Sequence, residues 1–128
     1  MVAIDGRQIG TKDRPYIVAE LSGNHGGSLE RALRIVDMAA DFGANAIKLQ
    51  TYTADTMTIS KDADEFRVLD PSSPWNGETL YSLYSKGSTP WEWHEAIFQR
   101  ARERGISAFS TPFDESAVNF LEQLDSPC

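Results

Sequence analysis

The sequence predicts an α/β fold built on a parallel sheet, and three observations carry that prediction. Residues 16–21, Tyr-Ile-Val-Ala-Glu-Leu, are β-branched and aromatic at their start, as strands are. An amphipathic stretch over 29–42 follows, then a short apolar run at 46–51; strand, helix and strand at this spacing make a βαβ unit with parallel strands. A helix, a glycine and a strand ending in threonine then recur, at Gly43 to Thr51 and again at Gly105 to Thr111. Repeated βα units of this kind build either a doubly wound sheet or an eight-fold barrel.

Taken in order, residues 1–14 read as a lead-in, with turn signals at Asp5-Gly6 and Gly10 and too few apolar residues for a core element. After the first strand, Ser22-Gly23-Asn24-His25-Gly26-Gly27 is a loop with three glycines. Ser28 is placed to cap the helix, whose apolar stripe is Leu29, Ala32, Leu33, Val36, Ala39 and Ala40. Gly43 suits the left-handed position that closes it. Residues 52–88 form a long insertion, and loops beyond about 15 residues are uncommon in compact α/β units unless functional or disordered. Phe66, Trp75, Tyr81 and Tyr84 give it apolar material to pack, and 80–84 suits a helical turn or two. We read it as an ordered lid or substrate-side loop, the alternative being a decorative insertion. Thr89-Pro90-Trp91-Glu92 combines a capping-box pattern with proline at the first helical position, and Gly105 stops the helix. Residues 106–111 read as the third strand. Asp114 is placed to cap a third helix with Ala117, Val118, Leu121 and Leu124 on its stripe.

Composition narrows the function. The 128 residues leave room for one domain with a core, and a net charge of −7 argues against non-specific nucleic-acid binding. A small anionic substrate is compatible, because a local lysine outweighs distant charge. The single cysteine, Cys128, gives no disulfide framework and no CxxC motif, so a reducing compartment is expected. The first residues lack an apolar leader segment and no run approaches transmembrane length. A soluble cytoplasmic protein without membrane partners is therefore the expectation.

Ligands of parallel α/β folds bind at the C-terminal ends of the strands, which here carry Glu20, Lys48 with Gln50, and Ser110 with Thr111. Lys48 and Gln50 stand two apart and share one strand face. Burying a lysine unpaired is costly, so this pair suggests a ligand, unless the lysine snorkels to water. Lys48 suits a carboxylate or phosphate as a point charge, and Gln50 suits hydroxyls. The Thr111 hydroxyl suits a phosphoryl or carboxylate oxygen, although threonine at a strand end is often a turn former. Glu20, between Ala19 and Leu21, reads as a buried carboxylate with a raised pKa, suited to general-base work, or else as a structural ion-pair partner of Lys48. His25 in the glycine loop suits a metal ligand, an acid/base group or a sugar contact. Its isolation from His94 argues against a metal site within these residues. The loop is not a GxGxxG fingerprint, so no dinucleotide is indicated.

Three stretches taken together resemble the sialic acid synthase family: residues 16–30 (YIVAELSGNHGGSLE), 46–51 (AIKLQT) and 109–114 (FSTPFD). The branch that makes pseudaminic acid is the most similar, on residues 49–53, 80–84 and 89–95. Gly26 departs from the family, which more often has asparagine there. The resemblance implies a (β/α)8 TIM barrel, of which residues 1–128 carry roughly the first three βα units. It also implies a later antifreeze-like domain that caps the partner's site in a homodimer. By motif, Glu20 matches an active-site glutamate, Lys48 and Thr111 match phosphoenolpyruvate contacts, and Gln50 matches a sugar contact. Asn24 and His25 match the loop beside the glutamate. The implied reaction condenses phosphoenolpyruvate with an amino-sugar aldehyde, assisted by manganese or magnesium whose ligands lie beyond Cys128. Its setting is the synthesis of cell-surface glycans, including those of flagellin. The 128 residues alone are expected to be inactive and to aggregate through an open sheet edge. The rival expectations are a neuraminate or legionaminate synthase and, from another class, a non-catalytic α/β ligand-binding module.

Overall fold

The structure, a computed structural model, describes residues 2–128. It opens on a hairpin of β1 (Val2–Ile4) and β2 (Arg7–Ile9), paired antiparallel with Val2 opposite Ile9. The Asp5-Gly6 turn has positive φ at both residues, 46° and 74°, the twist that suits a two-residue hairpin. The turn at Asp5-Gly6 and the exposure of this lead-in agree with its sequence; the pairing of residues 2–4 with 7–9 as strands was not foreseen.

The main sheet has three parallel strands in the order β3 (Val18–Glu20), β4 (Ala46–Thr51) and β5 (Ser107–Pro112). Three helices follow these strands: α1 (Leu29–Asp41) after β3, α4 (His94–Glu103) after the insertion, and α5 (Glu115–Gln123) after β5. Within the insertion lie a single turn, α2 (Ala54–Met57), and a two-turn helix, α3 (Leu80–Gly87). The Ser28 hydroxyl accepts from the Arg31 N–H at 3.2 Å, and the Asp114 carboxylate accepts from Ser116 and Ala117, so both predicted caps form. Gly43, at φ 82°, closes α1 as expected.

The core lies on one side of the sheet only. Leu21, Ile47, Leu49 and Ala108 point from the strands toward Ala32 and Val36 of α1, Ile97, Phe98 and Ala101 of α4, and Leu121 of α5. Arg100 of α4 pairs with Asp37 of α1 at 2.8 Å, and Arg104 pairs with Asp37 and Asp41, tying the two helices along their exposed seam.

The predicted capping box at Thr89 does not form. Pro90 instead leads into a 3-10 turn, Trp91–Trp93, ahead of α4, and Thr89 turns inward with only 1% of its surface exposed. Thr89 has a different partner in the interior, described below.

Candidate active site

Register decides which side chains share the open face of the sheet. Glu20 of β3 stands opposite Lys48, Lys48 opposite Phe109, and Gln50 opposite Thr111. In-register neighbours project to the same side, so Glu20, Lys48, Gln50, Phe109 and Thr111 lie together on the face away from the helices. Glu20, Gln50 and Thr111 sit at or next to the C-terminal ends of their strands, where parallel sheets present ligands, with Lys48 and Phe109 mid-strand behind them.

Lys48 Nζ lies 2.6 Å from the Glu20 carboxylate. Their side chains are 31% and 51% exposed, so the buried-carboxylate expectation for Glu20 is corrected: it sits at the rim as the ion-pair partner of Lys48. The Leu21 N–H donates to the Lys48 carbonyl at 2.9 Å, which carries the β3–β4 ladder past the ion pair. The arrangement places an ammonium, a carboxylate, an amide and a hydroxyl on one surface, with Phe109 as an apolar neighbour. That set can bind a small anion beside a polyol, and it holds a carboxylate close to the bound anion.

Ser110 is not part of this surface. Adjacent residues of a strand face opposite ways, so Ser110 and Thr111 cannot both reach the site. The Ser110 hydroxyl is buried on the helix side, 2.6 Å from Thr51 Oγ1, which is in turn 2.8 Å from His94 Nε2. His94 Nδ1 donates to the Pro90 carbonyl at 3.3 Å, so Nε2 is the acceptor and the Thr51 hydroxyl donates to it. The Ser110 hydroxyl then donates to Thr51. This chain of bonds joins the ends of β4 and β5 to the start of α4.

His25 is also removed from the substrate-contact group. It is fully buried: its Nδ1 accepts from the Gly27 N–H at 3.1 Å, and its Nε2–H donates to the Thr89 hydroxyl at 3.2 Å. Both ring nitrogens are used, and the ring stands edge-on to Trp93 at 5.4 Å. Burial pushes the pKa of His25 down, and that of His94 likewise, with the latter partly opposed by the Pro90 and Trp91 carbonyls. Asn24 is exposed in the same loop, its N–H bonded to the Leu21 carbonyl at 3.1 Å. Among the described residues no three His, Cys, Asp or Glu side chains converge to hold a metal ion.

The insertion packs beside the strand ends, and its 80–84 stretch is helical as its sequence suggested. Tyr52, just past β4, is buried edge-on between Tyr84 of α3 at 6.0 Å and Phe113 past β5 at 5.4 Å. Phe109, Tyr52, Phe113 and Thr89 were absent from the predicted site. Phe109 was accessible to reasoning, since it stands two residues before Thr111 on the same strand. Thr89 and Tyr52 were not, because their partners lie across the chain. A cleft of about 350 Å³ lined by Arg7, Tyr16, Asn45 and Arg102 opens at the opposite end of the sheet. It lies away from the strand ends where parallel sheets bind ligands, so the chemistry is assigned to the open face.

Comparison with known proteins places this geometry in context. A family model described as the NeuB family matches residues 35–128. The chain is 45% identical to the pseudaminic acid synthase of Campylobacter jejuni over 115 residues, which are 90% of this chain and 33% of that protein. It is 42% identical to the pseudaminic acid synthase of Helicobacter pylori over 113 residues, 88% of this chain and 33% of that protein. Among solved structures, the N-acetylneuraminic acid synthetase of Leptospira borgpetersenii superimposes with a TM-score of 0.76. It shares 28% identity with the chain, covering 96% of this chain and 38% of its own. The chain thus spans about a third of the length of the curated relatives it matches.

Proposed function

Because the chain belongs to the NeuB family of sialic acid synthases, we propose that it forms the first three βα units of a (β/α)8 synthase barrel. The whole protein would condense phosphoenolpyruvate with an amino-sugar aldehyde. The observation that carries this reading is the face shared by Glu20, Lys48, Gln50 and Thr111, four side chains from three strands. Lys48 would hold the negative charge of phosphoenolpyruvate, with Thr111 bonding one of its oxygens. Gln50 would take the sugar hydroxyls. In the reaction, C3 of phosphoenolpyruvate attacks the aldehyde carbon to form the new C–C bond, water adds at C2, and phosphate departs with cleavage of the C–O bond. Glu20, beside Lys48, would face the reacting carbons and orient the water. The higher identity to the two pseudaminic acid synthases than to the neuraminic acid synthetase supports a 2,4-diacetamido-trideoxy hexose as the sugar and pseudaminic acid as the product.

The divalent ion that such enzymes use would polarise the aldehyde as a Lewis acid. The residues here do not fit it: both histidines are buried with both ring nitrogens engaged, and no three-ligand cluster exists among the described residues. A homodimeric, cytoplasmic enzyme completed by a capping domain belongs to the same proposal.

Phosphate release by the full-length protein, with phosphoenolpyruvate and each candidate amino sugar and with product masses recorded, tests this reading. Pseudaminic acid should form fastest; Glu20→Gln should abolish turnover in a folded protein, and Lys48→Met should strongly raise KM for phosphoenolpyruvate. Near-normal kinetics in either variant removes that residue's role, and preference for N-acetylmannosamine reassigns the sugar. The 128-residue chain alone is expected to release no phosphate.

A further inference from the structure

We infer that His25 is a positioning residue: with Thr89 and a Gly23–Gly87 contact, it fastens the loop that carries Asn24 to the far end of the insertion. Helix α3 is then a fixed wall of the site and not a lid. The kinetic part of this inference rests on the synthase reading.

The clamp joins residues 64 apart in sequence through one buried hydrogen bond, His25 Nε2–H to Thr89. A second bond, from the Gly27 N–H to Nδ1, holds the ring in the tautomer that makes the first possible. Close packing reinforces the pair. A β-carbon at Gly23 would lie 2.9 Å from the Gly87 carbonyl oxygen, so the two backbones touch only because position 23 is glycine. Helix α3 is tied down at further points. Tyr84 packs on Tyr52, the Tyr81 hydroxyl donates to Asp55 at 3.1 Å, and the Trp91 indole N–H donates to the Tyr52 carbonyl at 3.3 Å. Swinging α3 outward would pull Gly87 off Gly23 and break the buried His25–Thr89 bond, giving up close packing and a hydrogen bond that a rapidly opening lid does not hold. The part of the insertion left outside these contacts is the largely exposed stretch 58–78, where Ile59, Leu69 and Trp75 face solvent.

The clamp bears on chemistry through proximity. The loop begins two residues after Glu20, and Ser22 already has a left-handed φ of 46°. Any shift of His25 therefore passes along a short, stiff path to the carboxylate and to Asn24. This gives a buried histidine that touches no substrate an effect on turnover.

The test compares Thr89→Val with Thr89→Ser in the full-length protein. Valine keeps the shape and removes the acceptor; serine keeps the hydroxyl. Thr89→Val should lower kcat about tenfold while leaving KM for phosphoenolpyruvate within about twofold, because Lys48 sits on β4 outside the clamped loop. Amide exchange over 22–27 should accelerate about tenfold or more in the same variant, with β4 unchanged. Thr89→Ser should restore both to within about threefold of the parent. A Thr89→Val protein with parental kcat and parental exchange at 22–27 overturns the inference, as does a Thr89→Ser protein as impaired as the valine variant. If the unsubstituted protein releases no phosphate with any amino sugar, the synthase reading fails instead, and exchange at 22–27 alone decides whether the clamp exists.

Discussion

Replacing Thr51 by valine isolates the buried chain that joins Ser110, Thr51, His94 and the Pro90 carbonyl. Valine has the shape of threonine, so packing against the helices is kept and only the hydroxyl is lost. Two bonds go with it, the 2.8 Å bond to His94 and the 2.6 Å bond to Ser110. Both former partners are buried, so neither regains water: the His94 lone pair and the Ser110 hydroxyl are left unpaired at about 1–2 kcal/mol each. The added buried methyl returns about 0.8 kcal/mol. The expected loss is about 1–3 kcal/mol of folding stability. Urea denaturation of the full-length protein should show it as a lower midpoint at unchanged slope. A cycle with Ser110→Ala sharpens the result. Once Ser110 has no hydroxyl, Thr51→Val orphans one group fewer, so the two losses should fail to add by about 1 kcal/mol. A valine variant within about 0.5 kcal/mol of the parent, or strict additivity with Ser110→Ala, would refute the assignment of these bonds.

Three further outcomes follow from the same geometry. His25 and His94 both have pKa values pushed below the ordinary imidazole value, so the unfolded chain binds more protons than the folded one as pH falls below about 6.5. Stability should accordingly be level above neutrality and fall through that window; a melting temperature unchanged between about pH 7.5 and 5.5 contradicts the buried neutral rings. Lys48→Met should raise KM for phosphoenolpyruvate strongly while costing less than about 1 kcal/mol of stability, since its ion pair with Glu20 is substantially exposed; steady-state kinetics and thermal melting together check it. Gly43→Ala, at φ 82°, should destabilise by about 1 kcal/mol or more by urea titration, although a β-carbon there would meet nothing within 4 Å.

Much of the fold was legible because the signals were local. Ser28, Gly43 and Asp114 act within a turn of where they stand, and β4 spans the residues its pattern predicts. Lys48 and Gln50 were placed together by alternation alone. The same alternation forbids Ser110 from joining Thr111, so that misplacement was avoidable. Other errors had no local remedy. Glu20 lies between two apolar residues and looks buried, but its exposure depends on what covers the open face of the sheet. Thr89 begins a pattern that spells a helix cap, yet a histidine 64 residues earlier takes its hydroxyl. Burial and partners across the chain outcompete a local propensity there, and only tertiary structure reports them.

Strand β5 carries its two hydroxyls side by side, Ser110 inward and Thr111 outward. A slip of one residue against β4 would exchange them and still leave a hydroxyl on each face, so hydrogen bonding alone specifies this register weakly. The discrimination falls to the preceding pair. Ala108 fits the crowded side against α4, and the same slip would drive the ring of Phe109 into that space, where extra volume typically costs about 1–3 kcal/mol. A small residue that touches no ligand thus acts as the strand's proofreader. Enlarging Ala108 would remove the distinction that keeps the outward hydroxyl on the side of Lys48 and Gln50.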